Sequence, residues 1–256
     1  MTLNENGLGC QISVICPAFN EEENLEPLTL EIEQALLPTG KPFEVIIVDD
    51  GSTDSSREVL RRLSREKPFV RGLFLSRNCG QSAATVAGFR SARGRTVFTI
   101  DSDLQNNPSD IPKMLELMEQ TGCDAVCGIR GARQDTFVRR MSSKIANKVR
   151  DMFLHDGLAD TGCALKGFKR EYVTDLPCFN GLHRFLGAML RAEGARIEQM
   201  VVDHRPRERG VSKYGLHNRL WRGIRDLFGL RWLCARWVKF EIDEATDCRT
   251  DQEPGK

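Results

Sequence analysis

Two aspartates one residue apart, Asp101 and Asp103 of IDSDLQNNP, follow an apolar run that ends at Ile100. In extended backbone such a pair points both side chains the same way. Two carboxylates converging in a cleft repel each other unless a hard cation neutralises them. Mg2+ or Mn2+, bridging to phosphate oxygens of a substrate, meets that demand. Gln105 adds a carbonyl ligand or a hydrogen bond, and Ser102 lies between the two acids. The plainer alternative is a solvated acidic loop that caps the helix after Pro108.

Three other polar clusters have the same placement after apolar runs. VDDGSTD offers Asp49 and Asp50, whose carboxylates suit the N–H of uracil or guanine, or ribose hydroxyls. It also reads as a strand-to-helix turn, with Gly51 at positive φ and Thr53 or Asp54 as N-cap, and both readings can hold together. PAFNEEE offers Asn20 and Glu21 to ribose or base, or simply acidity at a helix start. SRNCGQS places Gly80 in a tight turn before a helix whose N-terminus suits an anion, with Arg77 as a phosphate candidate. The four histidines, His155, His183, His204 and His217, lack metal-ligand spacing and are read as structural or surface residues.

The elements that must position these clusters are legible as alternating patterns. Apolar runs suited to buried parallel strands are Ile12 to Cys16, Phe43 to Val48, Val70 to Leu75, Thr96 to Ile100 and Ala125 to Cys127. Helical stretches lie between them: Glu22 to Leu36, Ser55 to Arg65, Ser82 to Ala92 and Ser109 to Met118. Units of this kind in series predict an α/β fold, a mostly parallel sheet flanked by helices. Its ligands bind beyond the carboxyl ends of the strands, where the four clusters sit. After Arg130 the pattern predicts a helix from Phe137 to Phe153, a glycine-bounded TGCALKGF, a helix from Leu182 to Arg191 and a strand from Ile197 to Val202.

Composition bounds the class. The 256 residues carry 37 Lys and Arg against 36 Asp and Glu, a formal net charge of +1, so no global field steers a polyanion. Between Arg205 and Lys239, however, ten basic residues face two acidic ones, a local +8 that points to a polyanion or a membrane surface. Nine cysteines, none in a C-x-x-C pair, together with no leader-like N-terminus, predict a reducing, cytoplasmic setting. Cys16, Cys79, Cys127 and Cys163 lie in apolar or glycine-rich surroundings that suit buried free thiols. No apolar run reaches the roughly 18 residues that a membrane-spanning helix needs.

The motifs together carry a resemblance. ISVICPAFNEEENL, EVIIVDDGSTD, LSRNCGQSAATVAGFRSARG and VFTIDSDLQNNPSDIP resemble the GT-A fold of family 2 inverting glycosyltransferases. GIRGAR, RRMSSKIAN, DTGCALKGFKRE and HRPRERGVSKYG resemble the polyprenyl-phosphate branch, which includes dolichol-phosphate mannose synthase and undecaprenyl-phosphate sugar transferases. The similarity runs over about residues 11 to 230. It implies transfer of a sugar, with inversion, from a nucleotide-sugar such as GDP-mannose or a UDP-hexose to a dolichyl- or undecaprenyl-type phosphate. It also implies Asp101, Asp103 and Gln105 as metal positions, with Pro17, Asn20, Glu21, Asp49 and Asp50 at the nucleotide. Arg130, Arg139 and Ser143 fall on positions that hold the acceptor phosphate, with Arg140 as an alternative to Arg139, and Arg207 lies near the phosphates. Asp160 of DTGC is a cleft residue of the catalytic set beside Asp103 and Arg130.

The resemblance divides the chain into a lead (1–10), a catalytic domain (11–212, nucleotide half to 130 and acceptor half from 131), an amphipathic region (213–240) and an acidic tail (241–256). Where many relatives carry C-terminal membrane helices, this chain is expected to reach the inner face of a membrane peripherally, or with a membrane-protein partner. Leu216, Leu220, Trp221, Ile224, Leu227 and Phe228 recur on one helical face flanked by Arg219, Arg222 and Arg225, as an interfacial helix requires. The alternative is that Gly223 and Gly229 break the helix and its apolar face packs under the catalytic domain. Two other functions are weighed. One is transfer to a sugar hydroxyl, which needs a carboxylate base, for which Asp160 is the candidate. The other is a silent nucleotide-sugar-binding scaffold, against which intact Asp101 and Asp103 argue. No nucleic-acid motif is present, so nucleic acid is not an expected partner.

Overall fold

The computed structural model describes residues 9–131, 150, 151, 153, 156–206 and 217–236, with side chains of the last stretch from residue 225 onward. Strands β1 (Ile12–Ala18), β2 (Phe43–Asp49), β3 (Val70–Phe74) and β4 (Thr96–Thr99) alternate with helices α1 (Leu25–Leu36), α2 (Ser56–Glu66) and α3 (Gln81–Ser91). Helix α4 (Asp110–Thr121) and β5 (Ala125–Arg130) follow, then β6 (Lys166–Lys169), α5 (Leu182–Ala192), β7 (Ile197–Val202) and α6 (His217–Arg236).

One seven-stranded sheet, in the order β3-β2-β1-β4-β6-β5-β7, joins them. The strands are parallel except β6, which runs antiparallel to both β4 and β5. TGCALKGF carried no strand signal because the strand is short and contains Gly167. A Cβ there would lie 2.5 Å from the Phe98 ring, so the glycine is what lets β6 lie against β4.

The strands are apolar on both faces because both are covered. Ile12, Val14 and Cys16 of β1 join the core under α1, α2 and α4. Ile15, Ile46 and Val48 join the core under α3, α5 and α6. Helix α1 buries Leu25, Leu28, Thr29, Ile32 and Leu36, a stripe at helical spacing. It starts three residues later than Glu22, since the preceding residues form a turn tied to the loop after β2: the Glu21 N–H donates to Ser56 Oγ and the Glu22 N–H to Asp54. Cys16, Cys127 and Cys163 are buried thiols as expected, but Cys79 is exposed, because its loop stands at the rim where the strands end.

The sheet keeps the four polar clusters at one edge and interleaves the two halves of the chain. Strand β5 belongs to the first half, yet both its neighbours, β6 and β7, belong to the second. The expected helix from Phe137 to Phe153 lies largely outside the described residues; of those described, Arg150, Asp151 and Phe153 are helical.

Candidate active site

The loops after β1 and β2 are laced together. The Asn20 side chain accepts from the Thr53 N–H at 2.8 Å and donates to Thr53 Oγ1, while its own N–H donates to Ser52. Asn20 sits at φ 54, the left-handed region that asparagine tolerates. Glu21 accepts from the Asn24 side chain at 2.6 Å. The serines, threonine and asparagine that do this lacing belong to the motifs, but their mutual contacts link residues more than 30 positions apart and carry no local signal.

Asp49 and Asp50, both expected at the nucleotide, are buried and already engaged by the chain. Asp49 forms an ion pair with Arg57 at 3.1 Å and caps the Ser52 N–H. Asp50 accepts from the Cys79 N–H at 2.7 Å and the Gly80 N–H at 2.9 Å. The anion at the start of α3 is therefore the protein's own carboxylate. Gly80 adopts φ 92 there, the tight turn that the sequence implied. Gly51 is required twice over: it sits at φ +71, and a Cβ on it would meet the Arg77–Asn78 backbone at 2.5 Å. The Arg77 side chain is exposed on this same loop.

After β4 the ladder continues to Ile100, whose N–H donates to the Ile15 carbonyl; Ser102 and Asp103 then form a turn, with Leu104 at φ 60. Asp103 is therefore oriented by that turn, not by the strand alternation that the sequence implied. Asp101 Oδ1 accepts from the Gln81 side chain at 2.7 Å, and Asp103 Oδ1 accepts from the Gln105 N–H at 3.2 Å. Ser102 points back to the Pro17 carbonyl at 2.9 Å, which ties the turn to β1. Gln105 pairs with Arg205: its carbonyl accepts the Arg205 N–H at 2.7 Å. That contact brings the segment just before Arg207 to the aspartate turn. Gln81 of α3, which carries no motif signal beyond its place beside Gly80, also reaches this segment through Asp101.

No group of three or more His, Cys, Asp or Glu able to hold a metal exists among the described residues. A divalent ion at Asp101 and Asp103 would take its remaining ligands from a bound diphosphate and water, which fits a cation delivered with substrate. The two carboxylates suit Mg2+ or Mn2+ in that role.

Arg130 and Asp160, assigned separately from sequence, form one unit. Arg130 Nε donates to Asp160 Oδ2 at 2.7 Å and Nη2 to Oδ1 at 2.8 Å. The Arg130 N–H adds a third bond at 3.2 Å and the Gly162 N–H a fourth at 3.0 Å. Burial works to raise the Asp160 carboxyl, but these donors outweigh it and hold it below the usual carboxylate range. The segment that follows Asp160 packs beside the one that carries the aspartates: the Asn106 amide lies 3.8 Å from Cys163 Sγ, and Thr99 Oγ1 donates to the Ala164 carbonyl. Arg139, Ser143 and Arg207 lie outside the described residues.

His183 has the structural role expected of it. Ser82 Oγ accepts from the Gly181 N–H at 3.0 Å and shares a second hydrogen bond with His183 Nδ1, 2.9 Å away, which holds the neutral ring in place. Burial, and then Arg184 and Lys166, lower its pKa to about 3.

Helix α6 divides the stripe expected of an interfacial helix. It runs unbroken through Gly223 and Gly229. Leu227 and Leu230 are buried in the core cluster that also holds side chains of α3 and α5, so Leu227 does not belong to an outward face. Phe228 and Trp232 are 57% and 62% exposed; Phe153 meets Phe228 edge-on at 5.2 Å, and Arg236 stacks over Trp232 at 5.4 Å. Leu216, Leu220, Trp221 and Ile224 fall outside the described side chains. Among the described residues, no helix is long and apolar enough to cross a membrane.

Comparison with known proteins agrees with this architecture. The chain is 38% identical over 224 residues to a dodecaprenyl-phosphate galacturonate synthase of Rhizobium johnstonii, covering 86% of this chain and 66% of that protein. It is 36% identical over 206 residues to an undecaprenyl-phosphate 4-deoxy-4-formamido-L-arabinose transferase of Aeromonas hydrophila, covering 80% and 63%. The chain thus spans just under two thirds of the length of these relatives. Among solved structures, glucosyl-3-phosphoglycerate synthase from Mycobacterium tuberculosis, in complex with Mn2+, UDP and glucosyl-3-phosphoglycerate, superposes with a TM-score of 0.65 at 20% identity, over 88% of this chain and 79% of that one. The profile of glycosyl transferase family 2 matches residues 13–176, and the chain belongs to that family.

Proposed function

We propose that the chain transfers a sugar, with inversion, from a nucleotide-sugar to a polyprenyl phosphate at the cytoplasmic face of a membrane. The observation that carries this reading is the Arg130–Asp160 unit. A hydroxyl acceptor needs a carboxylate base, and Asp160, the candidate for that part, already accepts four hydrogen bonds and is held in its ionised form. A phosphate monoester needs no base, since its second pKa is about 6 and it is mostly dianionic at neutral pH. What it needs is a cation held still, and a guanidinium clamped in plane is one. The two relatives, whose names specify dodecaprenyl and undecaprenyl phosphate, support the same acceptor class.

In this mechanism Arg130, with Arg139, Ser143 and Arg207, holds the acceptor phosphate for in-line attack at the anomeric carbon. Asp101 and Asp103, with Gln105 beside them, would hold Mg2+ or Mn2+, which would supply charge neutralisation of the leaving nucleoside diphosphate. The laced loops after β1 and β2, with Pro17, Asn20 and Glu21, border the nucleoside, and Asp49 and Asp50 act there chiefly by holding the loop shapes. The donor is a UDP-sugar or GDP-mannose. The exposed Phe228 and Trp232, flanked by arginines, support peripheral contact with the bilayer where the lipid resides. Incubation of UDP-glucose, UDP-GlcNAc, related UDP-sugars and GDP-mannose with a short polyprenyl phosphate tests the reading. Metal-dependent formation of a sugar phosphodiester is expected; transfer to hydroxyl acceptors alone would overturn it.

A further inference from the structure

Three basic side chains converge on the short segment from Asp156 to Cys163. Arg150, 4% exposed, donates to Thr161 Oγ1 at 2.8 Å and to Asp156 at 3.2 Å, and also reaches the Leu158 carbonyl. Lys166, 3% exposed, lies 3.4 Å from the Thr161 carbonyl and donates to that of Cys163. The third is Arg130, on Asp160. A buried cation costs too much to leave unpaired, so each of these contacts holds the segment's backbone in one shape. Asp160 is thus fixed from both sides before it meets Arg130.

We infer that Asp160 is a positioning residue: it acts through Arg130, setting the plane in which that guanidinium presents itself to the acceptor phosphate, and Gly162 is part of the same device. This rests on the reading of Arg130 as an acceptor-phosphate residue. The side-on pairing through Nε and Nη2 defines the plane of all five N–H donors. It orients the guanidinium edge remote from Asp160 without adding any group that touches substrate. Gly162 makes room for it, since a Cβ at that position would stand 2.5 Å from Arg130 Nη2. Gly162 is not among the residues with positive φ, so alanine there meets the guanidinium and not a backbone restriction. Asp160 carries no proton in the reaction, so its contribution is independent of pH across the neutral range.

The test is binding of farnesyl phosphate, with farnesol as control, by titration calorimetry on the full chain and its variants. Farnesyl phosphate should bind the native chain more tightly than farnesol; equal binding would overturn the acceptor reading itself. Given that preference, Asp160→Asn should weaken farnesyl phosphate about tenfold or more, equally at pH 6.5 and pH 8.5. Arg130→Ala with Asp160→Asn should be no weaker than Arg130→Ala alone. Additive losses in the double variant, or full affinity in Asp160→Asn, would overturn the positioning role. Gly162→Ala keeps every charge and supplies the second probe: it should reproduce the loss seen with Asp160→Asn, and unchanged binding would refute the part assigned to the glycine. In turnover, loss of a base would lower kcat and be recovered at high pH, whereas loss of positioning raises KM for the lipid with no such recovery.

Discussion

Asp103 is buried against the turn that follows β4, and its Oδ1 receives the Gln105 N–H. Removing that carboxylate deletes the turn hydrogen bond from the Gln105 N–H, worth about 1 kcal/mol, and with it one of the ligands proposed for the cation. The expected outcome for Asp103→Ala is a folded protein without measurable sugar transfer, and excess EDTA should have the same effect on the unsubstituted chain. Activity that survives EDTA would remove the metal from the mechanism. The motif that holds this residue was readable from sequence, since D-x-D after a buried strand is a local pattern. The use made of neighbouring acids was not. Asp49 and Asp50 look alike in the sequence and equally suited to a nucleoside, yet one pairs with Arg57 and the other closes the start of α3. Only the packing of the loop after β3 against Gly51 reveals it.

Between elements, the seam of α3 and α5 contains one titratable group whose sign of action can be worked out. His183 is neutral in the fold down to about pH 3, whereas the unfolded chain takes up a proton near its ordinary value of 6.5. Between those values the unfolded state binds more protons, so stability falls as pH drops from 7 toward 4, with a slope approaching about 1.4 kcal/mol per pH unit below pH 6. Urea unfolding at a series of pH values should show this slope, and His183→Gln, whose amide can still hydrogen-bond Ser82 but does not titrate, should flatten it. Helix α6 makes a second prediction. Its exposed pair Phe228 and Trp232 lies four residues apart on the side away from the buried Leu230. Co-sedimentation with anionic phosphatidylglycerol vesicles at low salt should fall about tenfold in Phe228→Ala with Trp232→Ala, from the lost apolar burial. Undiminished sedimentation would place the contact elsewhere. Helical periodicity showed that this segment is a helix. It did not show which side faces the protein, because leucines and aromatics alternate around it and α3 and α5 decide between them.

At the scale of the molecule, the six parallel strands were legible: β1 to β4 each as an apolar run followed by a polar cluster, β5 as a shorter apolar run, and β7 with the bounds that the structure shows. Strand β6 was not, being four residues with a glycine whose pairing partners stand some 70 and 40 positions upstream. That strand has a consequence for how the chain is made. During synthesis, β1 to β4 can assemble as they emerge, but β5 has neither neighbour until β6 and β7 have been translated. Until then the free edge of β4 and the whole of β5 expose unpaired amides and apolar side chains, the species most prone to stick to its like. A chain stopped at residue 150 should therefore be recovered as insoluble aggregate or chaperone-bound. The full chain should refold in one cooperative step, late and slowly, because contacts so distant in sequence pay their loop-closure entropy before they are rewarded. A soluble, monomeric fragment 1–150 with a sheet signature by circular dichroism would refute this order of events.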